Sequence, residues 1–356
     1  MKLLYKTLLA FFVVALFSCN NEDKTNPINL FSVDKEIKRV ESGINEELLG
    51  TISHLQSNDS SLVVYDFHSG KTFSLFNILD RKFIGRFVTI GQGPGEFPIG
   101  ANGYLTGNDF YITYSSTGLI AKYKMDSLMK NIESLPITIA NFDITDAYFS
   151  RICPLNDSLF LGVGAYMAEY QYVLFNSKSE VIDYSVEIFG TKDGKFNMHH
   201  KSLANQGKFK KHPTKNKFVF SLNNSSNIEF IEVFDSKIIL IKSLKSGDPK
   251  YNPITSGEMY GVMPDRDCTI GYIDIDVDEN YIYTLYTDKK IANYDGKDNT
   301  YSSKNILVFD WEGNPVHKYT LDNEAYNITV NEKLNTLYAG TKMEDGGWTI
   351  EAYDFN

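Results

Sequence analysis

The chain has 356 residues and a formal net charge of -10. This charge excludes general affinity for nucleic acid, because binding to a phosphate backbone needs a cationic surface. Aromatic residues make up 14% of the chain and only 10 residues are proline, which is typical of ordered, β-rich proteins and excludes disorder of the bulk. The length suits one large β domain or two smaller ones and does not choose between them.

The chain begins with a pattern typical of a secretion signal. Two lysines precede an apolar stretch, residues 8–17, that is too short to span a membrane as a stable helix. Ser18 and Cys19 follow, and a small residue before a cysteine at this point resembles the lipobox of bacterial lipoproteins. We therefore predict a signal peptide over residues 1–18 and a mature N-terminus at Cys19, acylated with a fatty acid such as palmitate. The alternative is an ordinary cleaved signal in which Cys19 is incidental.

The residues after the leader are polar. Residues 20–24 read NNEDK, which resembles the surface-export signal of lipoproteins in Bacteroidota-type envelopes. Residues 19–31 contain Pro27 and little apolar mass, so they predict a flexible tether. The expected location is the outer membrane, with the lipid at Cys19 as the membrane contact and the protein exposed on the outer face.

One unit recurs six times: a polar turn followed at once by a short run of β-favouring residues. The six runs are residues 62–65, 110–112, 159–161, 218–220, 281–283 and 337–339. Asn, Asp and Gly in the turns tolerate left-handed dihedrals or bond to their own backbone, so each copy marks a hairpin. Two more β-like stretches follow most copies, and four strands form a propeller blade. The sequence therefore predicts an all-β fold, a six-bladed β-propeller over residues 32–356, in preference to paired sandwiches or a β-helix.

The two termini offer a check on ring closure. The last repeat stops near Phe355 after only its third strand, and an incomplete blade would expose an open sheet edge. Residues 36–40 precede the first full repeat and are able to supply the missing strand. We therefore predict that an N-terminal strand closes the last blade. The interval between about 185 and 215 leaves room for irregular strands, and so for a seventh blade.

Three features together resemble one protein family. Residues 91–97 read GQGPGEF after the first blade, residues 310–315 form the turn DWEGNP, and the leader ends in a lipobox. They resemble the TolB-like six-bladed propeller lipoproteins of Bacteroidota-type bacteria, over almost the whole chain. The resemblance implies the fold and an envelope location. Because the function of this family is uncharacterised, it implies no catalytic residues, and propellers host binders, hydrolases and lyases alike.

The glycine-rich segment is one candidate ligand site. Gly93 and Gly95 allow the backbone to approach a ligand closely, and Glu96 adds a carboxylate. The segment lacks the ending and the following helix of a phosphate-binding loop. The favoured alternative is a structural crossover between the first two blades, with Phe97 packed and Glu96 accepting backbone hydrogen bonds.

Three aspartates form the candidate metal site. Asp274, Asp276 and Asp278 alternate with aliphatic residues, so on a strand the carboxylates share one face. Close carboxylates resist joint ionisation unless a cation lies nearby, and calcium prefers such oxygen ligands. The spacing does not fit an EF-hand. The alternative is an acidic strand face that is solvated or paired with lysines, and no cofactor other than calcium is expected.

Two further groups of residues are candidate contacts for a glycan or a protein partner. Residues 208–217 contain five lysines, which are able to meet an anionic glycan, although a solvated loop is the favoured interpretation. The aromatic residues Tyr166, Tyr170, Trp311 and Trp348 are able to stack on sugars, although core packing is favoured.

Other chemistry leaves no clear pattern. The six histidines fit no zinc-protease motif, and no Gly-x-Ser-x-Gly elbow supplies a nucleophile. Cys153 and Cys268 have no spacing that decides for or against a disulfide.

The favoured function is a non-enzymatic, lipid-anchored envelope protein that binds a glycan, a peptide or an envelope partner at one rim of the propeller. Loops on a rigid scaffold motivate this expectation. The alternative is a calcium-dependent hydrolase or lyase that uses the three aspartates. A third possibility is a structural subunit of an outer-membrane assembly.

Overall fold

The computed structural model describes residues 26–45, 49–114, 117–142, 147–167, 169–188, 194–247, 249–293 and 300–355. The predictions for the signal peptide, for Cys19 and for residues 20–24 lie outside these residues. Among the described residues, no helix is long and apolar enough to cross a membrane.

Two short strands, β1 (Asp34–Lys35) and β2 (Lys38–Val40), precede three four-stranded antiparallel sheets. The first sheet contains β3 (His54–Ser57), β4 (Ser61–His68), β5 (Lys71–Asn77) and β6 (Lys82–Thr89). The second contains β7 (Asn102–Thr106), β8 (Asp109–Tyr114), β9 (Leu119–Lys124) and β10 (Ile137–Asn141), with helix α1 (Met125–Lys130) before β10. The third contains β11 (Ala147–Asn156), β12 (Leu159–Tyr166), β13 (Tyr170–Asn176) and β14 (Val181–Glu187). In each sheet the strands follow chain order, as in a propeller blade.

The second half of the chain forms three more blades. Helix α2 (Met198–Ala204) leads into β15 (Gly207–Lys211), β16 (Lys217–Leu222), β17 (Ile228–Phe234) and β18 (Lys237–Leu244). A separate hairpin, β19 (Tyr251–Ser256) and β20 (Met259–Pro264), precedes the fifth blade, which contains β21 (Thr269–Val277), β22 (Tyr281–Lys290), β23 (Ser303–Asp310) and the first part of β24 (Pro315–Asn331). The rest of β24 begins the sixth blade, which continues with β25 (Thr336–Lys342) and β26 (Trp348–Asp354). The described residues thus form six blades, and helix α2 lies in the interval that left room for a seventh.

The ring is closed by the N-terminal strand. β2 pairs antiparallel with β26, with Arg39 opposite Tyr353, and Arg39 also forms an ion pair with Glu351 at 2.9 Å. The predicted closure is confirmed, although β2 is shorter than the predicted stretch. β24 is 17 residues long because it is both the outer strand of the fifth blade and the inner strand of the sixth, so these two blades share one sheet.

Part of the segment predicted as a tether packs against the fifth blade. Pro27–Leu30 forms a 3-10 turn, and Phe31 is buried. The ring of Phe31 meets the ring of Phe309 edge-on, with 5.0 Å between centroids. The tether predicted over residues 19–31 is therefore too long at its C-terminal end, because its few apolar side chains find a partner on the propeller.

The polar turns close their hairpins in the way that the repeat predicts. Asn58 Oδ1 accepts hydrogen bonds from the backbone N–H groups of Ser60 and Ser61 at 3.2 and 2.9 Å. Such a side chain satisfies backbone donors that the tight turn leaves unpaired. The turn therefore sets the register of the two strands that it joins.

The hydrophobic core lies between neighbouring blades. Between the first and second blades, Phe73, Phe87 and Phe110 pack with ring centroids 5.0 to 5.6 Å apart, and all three are buried. Full burial of one such side chain contributes about 2 kcal/mol. Cys153 and Cys268 are also buried, and both thiols are free, so no disulfide joins them.

Candidate functional site in the central channel

The inner strands of the six blades surround a central channel. They are β3, β7, β11, β15, β21 and the second part of β24, and most neighbours among them contact one another around the ring. All run the same way along the channel because every blade begins with its inner strand. The end where these strands begin is termed the mouth end. The end where they stop is termed the turn end, since the polar turns of the repeat lie there.

Inside the channel lies a cavity of about 180 Å³, here termed the chamber. Its polar lining includes His54, Asn102, Tyr104, Arg151, Lys208 and Asp274. These six side chains come from five different blades. Closure of the ring, rather than any local motif, therefore brings them together.

Asp274 is the buried anion of the chamber, with 1% of its side chain exposed. Its Oδ2 accepts a hydrogen bond from the Ile328 backbone N–H at 3.0 Å and lies 3.7 Å from His54 Nδ1, while its Oδ1 lies 3.9 Å from Lys208 Nζ. Burial alone would raise the pKa of Asp274, but its interactions with the His54 ring and with the ammonium of Lys208 hold this pKa at about 2. The carboxylate is therefore ionised at neutral pH.

Asp276 is bonded separately from Asp274. Its Oδ1 forms an ion pair with Lys210 Nζ at 2.9 Å. Its Oδ2 accepts hydrogen bonds from Thr329 Oγ1 at 2.6 Å and from the Val330 backbone N–H at 2.8 Å. This carboxylate thus joins the fourth, fifth and sixth blades.

Asp278 belongs to a turn. Its Oδ1 accepts backbone hydrogen bonds from Asn280 and Tyr281, its Oδ2 accepts one from the hydroxyl of Tyr283, and burial raises its pKa. The three aspartates thus have three separate sets of partners.

These contacts leave the calcium hypothesis without support from the geometry. Lysines lie beside Asp274 and Asp276, as in the alternative interpretation of a lysine-paired acidic face. In the part of the chain that the structure describes, no group of three or more His, Cys, Asp or Glu side chains is placed to hold a metal ion. The calcium-dependent hydrolase or lyase depended on this trio, and no contact of the trio favours that function.

Basic side chains dominate the rest of the chamber. Arg151 Nη1 donates a hydrogen bond to Asn102 Oδ1 at 3.0 Å, and Lys208 stands 3.9 Å from Asp274. Burial lowers the pKa of both Arg151 and Lys208, although the charge of Asp274 opposes this shift. Burying these two cations therefore costs desolvation free energy, and their attraction to the Asp274 carboxylate offsets this cost only in part.

The expectation of a solvated loop over residues 208–217 is wrong for its first part. Gly207–Lys211 is the inner strand β15, and alternation along it directs Lys208 and Lys210 to the channel and Phe209 to the core. Charge density along the sequence suggested exposure, but the ring of blades converts one face of this strand into a channel wall.

The position of a residue within the repeat is a sequence signal that identifies the residues facing the channel. The side chains four and two positions before the turn residue face the channel in several blades, because residues at that spacing share one face of a strand. The pairs are His54 and Gln56 before Asn58, Lys208 and Lys210 before His212, Asp274 and Asp276 before Asp278, and Asn327 and Thr329 before Asn331.

A second cavity, of about 370 Å³, opens at the mouth end. Its lining includes Tyr301, Tyr326, Trp348, Asn223, Asn224 and Lys208. The rings of Tyr326 and Trp348 meet edge-on with centroids 5.1 Å apart, and the ammonium of Lys342 lies 4.9 and 5.4 Å from their centroids. The mouth thus combines aromatic surfaces with amide groups, and Lys208 also lines the chamber below.

The other aromatic candidates lie elsewhere. Trp311 is buried, and its Nε1–H donates to the Asp278 carbonyl at 3.2 Å, so this ring has the packing role that was favoured for it. Tyr170 packs on Tyr184 in the third blade with centroids 4.2 Å apart, and Tyr166 lies beside the same ring at 6.2 Å. Of the four aromatic residues singled out in the sequence, the mouth contains Trp348.

The glycine-rich segment connects the first and second blades. The backbone N–H of Gly93 donates to Glu96 Oε2 at 2.9 Å, and Phe97 is buried. A side chain at Gly91 would overlap the same carboxylate, since a Cβ there would lie 1.9 Å from Oε2. Glu96 is therefore used by its own loop, in agreement with the favoured crossover, and Gly95 adopts a positive φ of 77° within it.

Two solved structures share this architecture. An exported protein from Bacteroides fragilis is 12% identical, with 90% of this chain and 98% of that chain aligned and a TM-score of 0.54. A member of the DUF4221 family from Bacteroides vulgatus is 10% identical, with 91% and 97% aligned and a TM-score of 0.52. At these identities the likeness shows the fold alone. Among curated proteins, none matches this chain.

The family comparison agrees with the blade count. The family described as TolB-like 6-blade propeller-like matches residues 35–333, which begin in β1 and end just after β24. The matched range therefore contains the first five blades and the inner strand of the sixth. By this match and by its six-bladed architecture, the chain belongs to the TolB-like six-bladed propeller family.

Proposed function

We propose that this protein is an exported binding protein that holds a glycan at the mouth of its propeller and is anchored to the outer membrane through a lipid on Cys19. The observation that carries the proposal is the mouth cavity, in which Tyr301, Tyr326 and Trp348 surround a space of about 370 Å³. Binding without turnover is favoured over catalysis because Asp276 and Asp278 use both of their carboxylate oxygens in contacts within the protein.

The chemistry of the mouth suits a sugar ring. Aromatic faces bind the apolar C–H face of a pyranose, while side-chain amides of Asn223 and Asn224 are able to exchange hydrogen bonds with its hydroxyl groups. A rigid ring of blades holds the loops in place, so little conformational entropy is lost on binding. The cavity also has room for more than one sugar unit.

The location rests on different support. The leader and Ser18-Cys19 predict export and acylation, and one solved relative is an exported protein. Metabolic labelling with palmitate should mark the wild-type protein and should not mark Cys19→Ala. Labelling of Cys19→Ala to the wild-type level would contradict the lipid anchor.

The binding role is tested by a glycan array followed by titration calorimetry with the full chain in detergent. We expect Trp348→Ala to weaken binding of the selected glycan at least tenfold, because a stacked ring contributes most of the apolar contact. The matched control is Tyr184→Ala, which removes an exposed aromatic ring from the third blade. Equal affinities of wild type and Trp348→Ala would overturn the assignment of the mouth as the binding site.

A further inference from the structure

The chamber below the mouth holds more positive than negative charge. Lys210 and Asp276 neutralise each other at 2.9 Å. Asp274 is then the remaining carboxylate among the described residues that line the chamber, and both Lys208 and Arg151 lie within electrostatic range of it. Two partly buried cations thus share one carboxylate.

Neither cation is bonded directly to that carboxylate. Lys208 Nζ is 3.9 Å from Asp274 Oδ1, which is beyond hydrogen-bond distance, and the described residues place no carboxylate within ion-pair distance of Arg151. Partly buried cations that no carboxylate bonds directly are unfavourable unless an anion compensates for them. The site is therefore set up for an additional anion.

A second observation concerns Asp274 itself. Its Oδ1 is buried and accepts no hydrogen bond from the described residues, although its Oδ2 is bonded to the backbone of Ile328. A buried carboxylate oxygen without a donor is costly. Asp274 Oδ1 is therefore a hydrogen-bond acceptor that is available to a ligand, and it lies beside the two cations of the chamber.

We propose that the chamber binds the carboxylate of a sugar acid, with Arg151 and Lys208 as its cationic partners and Asp274 Oδ1 as the acceptor for a neighbouring hydroxyl group. The inference rests on the proposed function, since it identifies the glycan at the mouth as one that carries a uronic acid. Lys208 lines both cavities, so one ligand is able to place a ring at Trp348 and its acid group in the chamber. A guanidinium binds a carboxylate with two parallel hydrogen bonds, which gives the site its selectivity.

The test compares three probes by titration calorimetry on the full chain in detergent: a disaccharide ending in glucuronate, the matched disaccharide ending in glucose, and free glucuronate. We expect the acidic disaccharide to bind at least tenfold more tightly than the neutral one. Lys208→Met should remove this preference, so that the variant binds the acidic disaccharide no more tightly than the neutral one. Lys215→Met, which removes the same charge from an exposed turn, is the matched control and should change neither affinity. The melting temperature of each variant establishes that it is folded.

The outcomes separate the two proposals. Equal binding of the acidic and neutral disaccharides, with loss of both in Trp348→Ala, would overturn the sugar-acid inference and support the glycan site. Binding of free glucuronate that depends on Lys208 but not on Trp348 would support the chamber and overturn the mouth. Absence of binding by all three probes, together with no glycan found on the array, would overturn both.

Discussion

The two ends of the channel use their polar groups in opposite ways. At the turn end, Asn58, Asp278 and Asn331 accept hydrogen bonds from backbone N–H groups of their own turns. The mouth end is built from parts that occur once, such as the loops that carry Tyr301 and Trp348 around a cavity of about 370 Å³. At the turn end, the polar side chains therefore form hydrogen bonds within the protein, while the mouth end presents aromatic and amide groups to a ligand.

In a repeated fold, residues that recur in every repeat and residues that occur once have different roles. A turn recurs because every hairpin needs the same backbone geometry, so the repeat reports on folding. A ligand site needs a different side chain from each blade, and such residues do not recur. Substitutions at the two ends should accordingly affect different quantities.

The largest expected effect on stability comes from a backbone contact at the mouth end. It would show that the mouth end, too, contains residues that determine folding rather than binding. Gly271 has a φ of 74°, and a Cβ there would lie 1.7 Å from the Ser225 carbonyl oxygen, where the fourth and fifth blades touch. Gly271→Ala should lower the free energy of unfolding in urea by about 3 to 5 kcal/mol. Gly257→Ala, at a φ of 61° with open space around it, should cost only about 1 kcal/mol. Equal losses would show that the two blades separate easily at this point.

The next effect tests the turn end. Asp278→Ala removes two backbone hydrogen bonds and leaves the hydroxyl of Tyr283 without its acceptor, so unfolding in urea should become easier by about 2 to 4 kcal/mol. Asp59→Ala removes an exposed carboxylate from another turn and should change stability by less than about 0.5 kcal/mol. Sugar affinity of folded Asp278→Ala should remain at the wild-type value. A specific loss of sugar binding would give the turn end a functional role.

A smaller effect follows from pH at the chamber. The pKa of Asp274 is about 2 in the folded protein against 3.8 as its ordinary value, so its contribution is fully present above about pH 4 and is lost as pH falls through 2. A shift of this size corresponds to about 2 kcal/mol. The difference in unfolding free energy between wild type and Asp274→Asn should therefore shrink by about that amount from pH 5 to pH 2. A difference that is constant over this range would contradict the ionised, cation-stabilised state of Asp274.

Apart from the control variants, the smallest stability effect is expected for an aromatic ring that lines the mouth cavity. Trp348→Ala should cost about 1 kcal/mol, the contribution of one edge-on aromatic contact, because the ring is only half-buried. The same variant should have the largest effect on sugar binding. A loss of several kcal/mol in urea unfolding would instead place Trp348 in the core and weaken the contrast between the two ends.

The sequence by itself determined the architecture. Polar turns at Asn58 and Asp278, the alternation of the strands between them and the missing last strand were enough for six blades and for closure by β2. Each of these signals is local, since it depends on side-chain alternation or on the dihedrals of one turn. The packing of Phe31 escaped prediction because its partner, Phe309, lies far along the chain.

Only the tertiary structure decided what the channel contains. Lys208 in a lysine-rich run and Asp274 in an acidic run suggested, respectively, a solvated loop and a metal site. Lys208 Nζ and Asp274 Oδ1 lie 3.9 Å apart because the fourth and fifth blades pack side by side. Arg151 of the third blade lies within electrostatic range of the same carboxylate. Strand alternation tells which residues face the channel, but the partner that each one meets depends on how the neighbouring blades pack around the axis, and no single stretch of sequence contains that information.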